Sequence, residues 1–587
     1  MCVCSESPKY TWNRCALVRH SVKFLADHCP RLKKLFLMHW DHSTSCSVKR
    51  GSVACGALEL LSIFQGLASP DLTMQVLRLP VVRGYLDAVD VAESWMQQLT
   101  SQDSRHLLTF EFLFEAKERA LYFRTINHLK MRQAVSSAEK AVALRRRMPL
   151  HVLDEPTDQL KYAEETYLLL NVSRTNLLRD AYDQLWQRRQ GELLRPLRVR
   201  LGEVEELEVG HDLGGVQMEF FNLVCQEAFA EDAQMFTTNM QTGLSYFRPC
   251  SLQPLYMFEL LGLLLGLAIY NGITLPISLP VVFYRLLLEN VMHNTAAESC
   301  VGNIKDGWPA ESRSLAVITK QDVSDLDFSF PLEANGLRMS VQCRELIATS
   351  HMAQTSSDDG EVNFTSTAHG RRASSKSRRT MHVFSAVDER SQPVDSLQGI
   401  DWPGWTLARS DMEPESLTSD NKALYVAQYA WWLVQGSVAP QLDAFRRGFY
   451  RVVDIHALSL FTPSSLRAFM EGSSSLDIEE LRNATKYDGY ETKSKYIHTF
   501  WRIVSSWPES KQKQLLKFVT AAKRIPIGGA SNLTFVIKKT VPEDLEHLPT
   551  SSTCFGTLYL PRYANAEALE EKLSRAIEYG LEGFGTG

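Results

Sequence analysis

Near the C-terminal end, the neighbours of Cys554 suit covalent chemistry better than those of an ordinary buried cysteine. The polar run 549–553 precedes this residue, and Phe555 and the apolar segment 558–560 follow it. Polar loops favour the surface, and the apolar segment behind this loop predicts a strand that holds it in place. A thiol that is both accessible and firmly held can carry an acyl group as a thioester.

Exchange of an acyl group between two thiols needs little acid–base assistance, because the attacking and the leaving thiolate are chemically alike. This matters here because the nearest histidine, His547, lies seven positions before the cysteine. Residue types alone therefore leave two hypotheses open for Cys554, a nucleophile and an incidental surface thiol.

A second group of reactive residues lies near the N-terminus, where cysteines alternate with histidines. A zinc site would show a repeated Cys-x-x-Cys spacing, alone or followed by His-x-x-x-His, and the segment has neither. We therefore favour free buried thiols over a metal, and we predict no cofactor, since no phosphate-binding loop or metalloprotease motif occurs. The residues concerned are Cys2, Cys4, Cys15, Cys29, Cys46 and Cys55, with His20, His28, His39 and His42.

The composition is that of a globular chain with more than one domain. At 587 residues it exceeds what one hydrophobic core supports, and 44% hydrophobic with 22% charged residues is ordinary. A net charge of -5 creates no field that would collect nucleic acid or bind an anionic membrane. Scattered cysteines and an N-terminus without a signal-peptide pattern predict a reducing, cytoplasmic location.

One strongly apolar segment must be compared with a membrane span. Its uninterrupted apolar run, 260–270, is about half of what a bilayer requires, and Pro276 follows soon after. Gly262 and Gly266 lie four positions apart, a spacing typical of closely packed helices. The segment predicts a buried helix and no membrane insertion.

The wider pattern divides the chain into helical and mixed parts. Residues 1–160 are rich in helix formers, with apolar residues at intervals of three and four. Short strands and helices alternate over about 165–290. Helical periodicity returns after residue 420, and Thr462 with Pro463 indicates the start of a helix there.

Residues 345–395 form the clearest break in this pattern. Ser, Thr, Arg and Gly dominate the segment, which cannot bury enough apolar surface to offset its ordering entropy. We predict a disordered insertion. Its basic stretch 371–379 surrounds three serines and is open to three interpretations, a phosphorylation switch, a nuclear-import signal or a solvated loop.

The last hundred residues predict the compact αβ unit that must position Cys554. A helix-forming stretch leads into the turn IPIGGA and the strand NLTFVIKK. The polar loop with the cysteine then enters a further strand. The closing helix, AEALEEKLSRAIEYG, places Leu569, Leu573 and Ile577 on one face.

These segments resemble the HECT family of ubiquitin ligases. IPIGGASNLTFVIKK, LPTSSTCFGTLYLPRYANAEALEEKL and AIEYGLEGFG are similar to the C-terminal lobe of that family, in its order and at about its spacing. ELLGLLLGLAIYNGITL resembles the N-terminal lobe, and DNKALYVAQYAWWLV and AFRRGF resemble the branch of the papillomavirus E6-associated protein. The likeness covers about 165–295 and 415–587, whereas residues 296–415 match poorly and show no clear core strands.

The resemblance implies an α+β, HECT-like bilobal fold with a mainly helical N-lobe, a small αβ C-lobe and a helical N-terminal extension. The extension would occupy 1–160, and the N-lobe 161–475 with the insertion at 345–395. A hinge at 476–486 would precede the C-lobe at 487–587. Motion about this hinge would let the cysteine reach both its donor and its substrate.

The same resemblance implies a function. Cys554 would accept ubiquitin from a conjugating enzyme as a thioester and pass it to a lysine of a protein substrate. Thr553, Phe555 and Phe584 match positions that support the transfer. Two departures stand beside the cysteine, since many members have histidine and asparagine where this chain has Ser552 and Gly556.

A small subdomain at about 420–475 would dock the conjugating enzyme. Leu458, Leu460 and Phe461 are candidate anchors in it, although core packing explains these three side chains equally well. Further, the family's turn with two adjacent glycines occurs here with Gly489 alone.

Two alternatives remain for the function. A catalytically inactive, HECT-derived scaffold would bind the same partners without transferring ubiquitin. A cysteine peptidase that removes ubiquitin would need a histidine base beside the thiol, and its cysteine would usually begin a helix, whereas Cys554 precedes a predicted strand.

Overall fold

The structure is a computed structural model, and it contains many helices with short strands between them in the chain. The described residues are 27–41, 46–65, 77–97, 103–146, 166–202, 215–289, 297–321, 326–334, 337–347, 380–388, 416–473, 475–492, 494–522, 524–530, 533–540, 547–553 and 556–582. Residues 27–39 are helical. The helices that follow are α1 (Val53–Gln65), α2 (Ala88–Gln97), α3 (Ala116–Arg146), α4 (Leu177–Leu185), α5 (Gln190–Leu193), α6 (Gly215–Ala228), α7 (Leu255–Tyr270), α8 (Val281–Glu289), α9 (Ala297–Ile304), α10 (Pro309–Lys320), α11 (Lys422–Val434), α12 (Ala439–Phe449), α13 (Ile455–Leu458), α14 (Pro463–Glu471), α15 (Ile478–Ala484), α16 (Lys495–Ser506), α17 (Glu509–Thr520) and α18 (Ala566–Glu582).

The strands form small separate sheets. They are β1 (Ser47–Lys49), β2 (Ser104–His106), β3 (Leu168–Val172), β4 (Leu197–Leu201), β5 (Phe236–Thr238), β6 (Ser245–Phe247), β7 (Phe330–Ala334), β8 (Leu337–Ile347), β9 (Thr380–Asp388), β10 (Lys486–Asp488), β11 (Val536–Lys539), β12 (Thr550–Ser552) and β13 (Thr557–Leu560). The predicted α+β class, with a mostly helical chain and a helical N-terminal region, is confirmed.

The chain divides into two compact units. Unit 1 consists of Met1–Ala228, Glu259–Asn290 and Phe445–Gly587, and unit 2 of Phe229–Phe258 and Val291–Ala444. The predicted boundaries at 160, 475 and 487 do not coincide with these units. The predicted hinge at 476–486 contains α15, which Asp477 caps by accepting bonds from the backbone N–H groups of Glu479 and Glu480.

In unit 1, the apolar run predicted to be a buried helix is the larger part of α7. Residues 260–270 are all buried, which confirms that prediction. A Cβ on Gly262 would lie 1.9 Å from the carbonyl oxygen of Phe445, and one on Gly448 would lie 1.8 Å from that of Glu259. The backbones of α7 and α12 therefore touch, which only glycine allows. Among the described helices, none is long and apolar enough to cross a membrane.

The long helix α3 is attached to the later part of unit 1. Arg119 donates to the carbonyl oxygen of Leu460 at 2.5 Å, and the Lys130 ammonium lies 2.5 Å from the Asp454 carboxylate. The Phe123 ring packs on the rings of Phe461 and Phe469, with centroids 5.3 and 5.2 Å away. The N-terminal helical region is thus packed into unit 1 along this helix.

The structure of unit 2 contradicts two predictions made for residues 296–415, the segment that matches the family poorly. Within 296–415, the structure contains α9, α10 and the antiparallel sheet β7-β8-β9, so the absence of clear strands was wrong there. The predicted insertion at 345–395 includes the end of β8 and all of β9, and its residues 348–379 and 389–395 lie outside the described residues. Phe330 of β7 is fully buried and stacks on Trp432 of α11 at 5.8 Å.

The predicted C-terminal αβ unit is present. Its four strands lie in the order β10-β11-β13-β12, and α16, α17 and α18 contribute most of the remaining buried side chains of a single apolar cluster. Leu569, Leu573 and Ile577 of α18 are fully buried in this cluster, as the apolar face predicts. The central strands β11 and β13 pair in parallel.

We predict that Gly262→Ala, in the contact between α7 and α12, lowers the free energy of unfolding by roughly 3 kcal/mol, because the new methyl overlaps a backbone carbonyl. Gly56→Ala is the matched control, since Gly56 is also helical and a Cβ there meets nothing within 4 Å. The control should be neutral or stabilising by about 0.5–1 kcal/mol. Urea unfolding measures both, and equal effects would contradict the close contact.

Candidate functional site

The segment that carries the candidate nucleophile joins two paired strands. β12 and β13 are antiparallel, and Ser552 lies opposite Thr557. The chain between them is the four-residue connection 553–556. Cys554 and Phe555 lie outside the described residues, as does Phe584. The structure therefore describes the two ends of the connection, Thr553 and Gly556.

Gly556 closes this connection in a conformation that favours glycine. Its φ is +55°, in the left-handed region, and its N–H donates to the carbonyl of Thr553 at 3.2 Å. A Cβ at this position would lie 2.0 Å from the carbonyl oxygen of Thr534. The Val536 N–H donates back to the Gly556 carbonyl at 2.8 Å. In this chain a side chain at position 556 would therefore overlap the Thr534 carbonyl.

The sheet beneath the connection is apolar and fully packed. Ile537 of β11 and both Leu558 and Leu560 of β13 are fully buried. On the outer strand β12, by contrast, Thr550 is exposed and Ser551 is half-buried. The cysteine segment thus leaves a half-buried edge strand and enters a buried central strand. The sequence predicts the central strand, whereas it predicts a polar loop where β12 lies.

Three tyrosine hydroxyls hold the end of β13, and the sequence analysis missed them; Tyr563 is buried, and Tyr490 and Tyr496 are half-buried. The hydroxyl of Tyr490 donates to the Leu560 carbonyl and that of Tyr496 to the Pro561 carbonyl, both at 2.7 Å. The hydroxyl of Tyr563 donates to the carbonyl of His547 at 2.6 Å, which ties the entry to β12 to the exit from β13. Burial raises the pKa of Tyr496 to about 12, so its hydroxyl keeps the proton that it donates at neutral pH.

The three candidate anchors for a conjugating enzyme lie in the core. Leu458 and Leu460 are fully buried, and Phe461 is 4% exposed. The Phe461 ring stacks on Phe469 and meets Phe123 edge-on. A partner-binding anchor needs an accessible side chain, so the structure supports the second account that the sequence left open, core packing.

The described part of the N-terminal cysteine group shows free thiols. Cys29, Cys46 and Cys55 form no disulfide, and no group of three His, Cys, Asp or Glu side chains among the described residues could hold a metal. Burial raises the pKa of each of these three thiols above its ordinary value, which disfavours the thiolate that a metal needs. The other members of the group that lie outside the described residues are Cys2, Cys4, Cys15, His20 and His42.

Comparison with known proteins identifies a family that this chain matches and several relatives of the chain. The sequence model of the HECT-domain (ubiquitin-transferase) family matches residues 222–587, more than half of the chain. The human probable E3 ubiquitin-protein ligase HECTD2 is 30% identical over 419 residues, which cover 71% of this chain and 46% of the relative. The human probable E3 ubiquitin-protein ligase HERC3 is 28% identical over 484 residues, with 82% and 38% covered.

A yeast relative extends the comparison beyond animals. The E3 ubiquitin-protein ligase RSP5 of Saccharomyces cerevisiae is 24% identical over 437 residues, which cover 71% of this chain and 43% of RSP5. The matches therefore span less than half the length of these three relatives.

We predict that Gly556→Ala destabilises the protein by about 2–4 kcal/mol, because it combines left-handed backbone strain with overlap of the Thr534 carbonyl. Gly51→Ala is the control for strain alone. Gly51 has a φ of +76° and open space around a Cβ, so this variant should lose only about 1–2 kcal/mol. Denaturant unfolding of both variants tests the difference, and an equal loss would argue against the tight approach.

Proposed function

The chain belongs to the HECT-domain ubiquitin-transferase family, and on that premise we propose that it accepts ubiquitin as a thioester on Cys554 and transfers it to lysines of protein substrates. The observation that carries the proposal is the family match, which runs through the cysteine segment to residue 587. The geometry on both sides of the cysteine supports it, because Gly556 and the pairing of β12 with β13 hold the connection against the sheet. A firmly held connection suits a covalent carrier.

The proposed chemistry has two steps. In the first, the thiolate of Cys554 attacks the thioester carbonyl of a ubiquitin-loaded conjugating enzyme, a new C–S bond forms, and the enzyme's thiolate leaves. In the second, the neutral amine of a substrate lysine attacks the new thioester, an amide forms, the Cys554 thiolate leaves, and the amine proton passes to solvent. One thioester replaces another in the first step, so that step consumes no ATP.

Three further residues belong to the proposal as supports of the transfer. Thr553 is half-buried, and its carbonyl accepts the bond that closes the connection. The proposed roles of Phe555 and Phe584 rest on the resemblance. Each role is a positioning role, since none of these side chains can act as an acid or a base.

We propose that the conjugating enzyme docks on unit 2. Apolar side chains are exposed on three parts of that unit, and they replace the buried Leu458 group as candidate anchors. They are Val317 of α10 (49% exposed), Leu326 (43%) and Leu424 of α11 (53%). The Lys422 ammonium reaches the carbonyl of Gln321 at 3.5 Å and joins the end of α10 to the start of α11. An accessible apolar surface of this kind suits a protein partner.

The finer sequence interpretations complete the proposal. We propose the extension at 1–160, the N-lobe at 161–475, the hinge at 476–486 and the C-lobe at 487–587. We also propose a nearer likeness to the E6-associated-protein branch, which rests on sequence resemblance, including that of the segments in α11 and α12. A cytoplasmic location, with nuclear import as an alternative, is supported by the free buried thiols, which suit a reducing compartment.

We predict that the chain, incubated with activating enzyme, conjugating enzymes, ATP and ubiquitin, forms an adduct that reductant removes. Cys554→Ala should abolish the adduct, and Cys554→Ser should leave a reductant-resistant oxyester, because an ester is a poorer acyl donor than a thioester. Cys46→Ala is the control, since Cys46 is a partly accessible free thiol elsewhere in unit 1. Normal binding of a conjugating enzyme without any adduct would support the scaffold alternative instead.

We also predict that Val317→Asp slows formation of the thioester about tenfold or more, because a charge in a desolvated apolar contact costs over 1.4 kcal/mol. Val89→Asp is the matched control, since Val89 is 44% exposed on α2 of unit 1. Rates of loading at limiting conjugating enzyme measure both variants. Equal loading by the two variants would place the docking surface elsewhere.

A further inference from the structure

A short segment of the C-terminal part of unit 1 is bonded to elements far from it in sequence. Ala521, Arg524 and Ile525 follow α17, and they contact α6, the segment before α8 and the end of α14. The Asn222 amide donates to the carbonyl of Ala521 at 2.9 Å. Ser473 and Ile525 form an antiparallel bridge, with N–H to carbonyl distances of 2.8 and 3.0 Å. We call this set of contacts the seam.

Arg524 is the one charged side chain among the described residues of 521–530. Its guanidinium donates to the hydroxyl oxygen of Ser278 at 2.5 Å and lies 3.5 Å from the carboxylate of Glu471. Both partners belong to the predicted N-lobe, whereas Arg524 belongs to the predicted C-lobe. Among the described residues, the seam therefore joins the two predicted lobes through the contacts of Arg524 with Glu471 and Ser278, one side-chain amide and one backbone bridge.

The Glu471 carboxylate is held in place independently of Arg524. Its side chain is 5% exposed, and its Oε1 accepts from the Leu279 N–H and the Tyr284 hydroxyl, both at 2.7 Å. Its Oε2 lies 3.3 Å from the guanidinium of Arg467, one turn earlier on α14. Burial and the neighbouring carboxylate raise the pKa of Tyr284 well above its ordinary value, so the tyrosine remains a donor.

Glu471 thus keeps a counter-charge and two hydrogen bonds when Arg524 moves away. Removal of a sole partner from a buried charge is very costly, but Glu471 retains Arg467. Arg524 itself is 20% exposed in its side chain and can regain water. A cleft of about 490 Å³ adjoins this contact, between the end of α14, the start of α15 and residues 525–530. The pair with Arg524 is consequently the part of the Glu471 network that can open and close.

We propose that Arg524 is a positioning residue for ubiquitin transfer, and that its bonds to Glu471 and Ser278 hold the cysteine-bearing lobe in one of the orientations that the reaction needs. This inference rests on the proposed function. The cysteine must meet a conjugating enzyme in one step and a substrate lysine in the other. A breakable contact at the seam sets the balance between the two orientations.

The first test measures the seam without any activity. In Arg524→Gln, hydrogen exchange at the amides of Ser473 and Ile525 should become roughly tenfold faster, because a charge-assisted contact that held the bridge is lost. Exchange within α16 should stay unchanged. The matched control is Arg575→Gln, which removes an exposed ion pair with Glu571 on α18 and should leave the seam amides as they were. Unchanged exchange at Ser473 and Ile525 in Arg524→Gln would overturn the proposal.

The second test separates the two half-reactions. Single-turnover rates of loading from a conjugating enzyme and of discharge to a lysine substrate are measured for the parent chain, Arg524→Gln and Ser278→Ala. We expect the ratio of the two rates to change at least about threefold in Arg524→Gln, and in the same direction but less in Ser278→Ala. An equal fall in both rates, together with a lower melting temperature, would show a purely structural role and overturn the proposal. If the parent chain takes no ubiquitin, the proposed function fails, and the exchange test still decides whether Arg524 holds the seam.

Discussion

The placement of the cysteine segment depends on one close backbone contact, the approach of Gly556 to the carbonyl of Thr534. This contact sets the point at which β13 begins beside β11, and their parallel register then places Leu558 and Leu560 in the core. A connection of four residues between paired strands has few conformations that can close it. The orientation of the cysteine segment therefore follows from the sheet. A larger residue at position 556 would displace β13, which follows it in the chain.

Much of the fold could be predicted from local pattern because it arises from local causes. Thr462 and Pro463 begin α14, as the sequence predicts, because both act on backbone groups within one turn. The structure adds a capping box between Thr462 and Ser465. β4 lies in the region where the sequence predicts short strands, and its residues alternate between buried and accessible positions. Even the lone Gly489 follows from local geometry, because its φ of +75° lies where a side chain is strained.

Other features could not be predicted, because their causes are distant in sequence. The burial of Leu458, Leu460 and Phe461 depends on α3, more than three hundred residues earlier, and an apolar residue has the same type in a core and on a docking surface. β8 and β9 pair across a polar segment that dominates the composition of that region. The Glu471–Arg524 pair joins residues 53 positions apart, and a charged residue in a polar-looking stretch gives no sign that it will be buried.

The two parts of the proposed mechanism require contacts of different strength, and the structure separates them. Around the cysteine, the sheet, the tyrosine hydroxyls and the apolar cluster act together, so local opening there would expose a large part of the core. At the seam, the two contacts of Arg524 with Glu471 and Ser278, one side-chain amide and a two-bond bridge act beside a cleft. Each such contact contributes about 1–3 kcal/mol at most, so the seam can open at a cost that a binding partner readily supplies. A reaction with two successive partners requires a cysteine-bearing lobe that is rigid in itself and contacts at the seam that can break. Arg524 belongs to that lobe and makes the breakable contact.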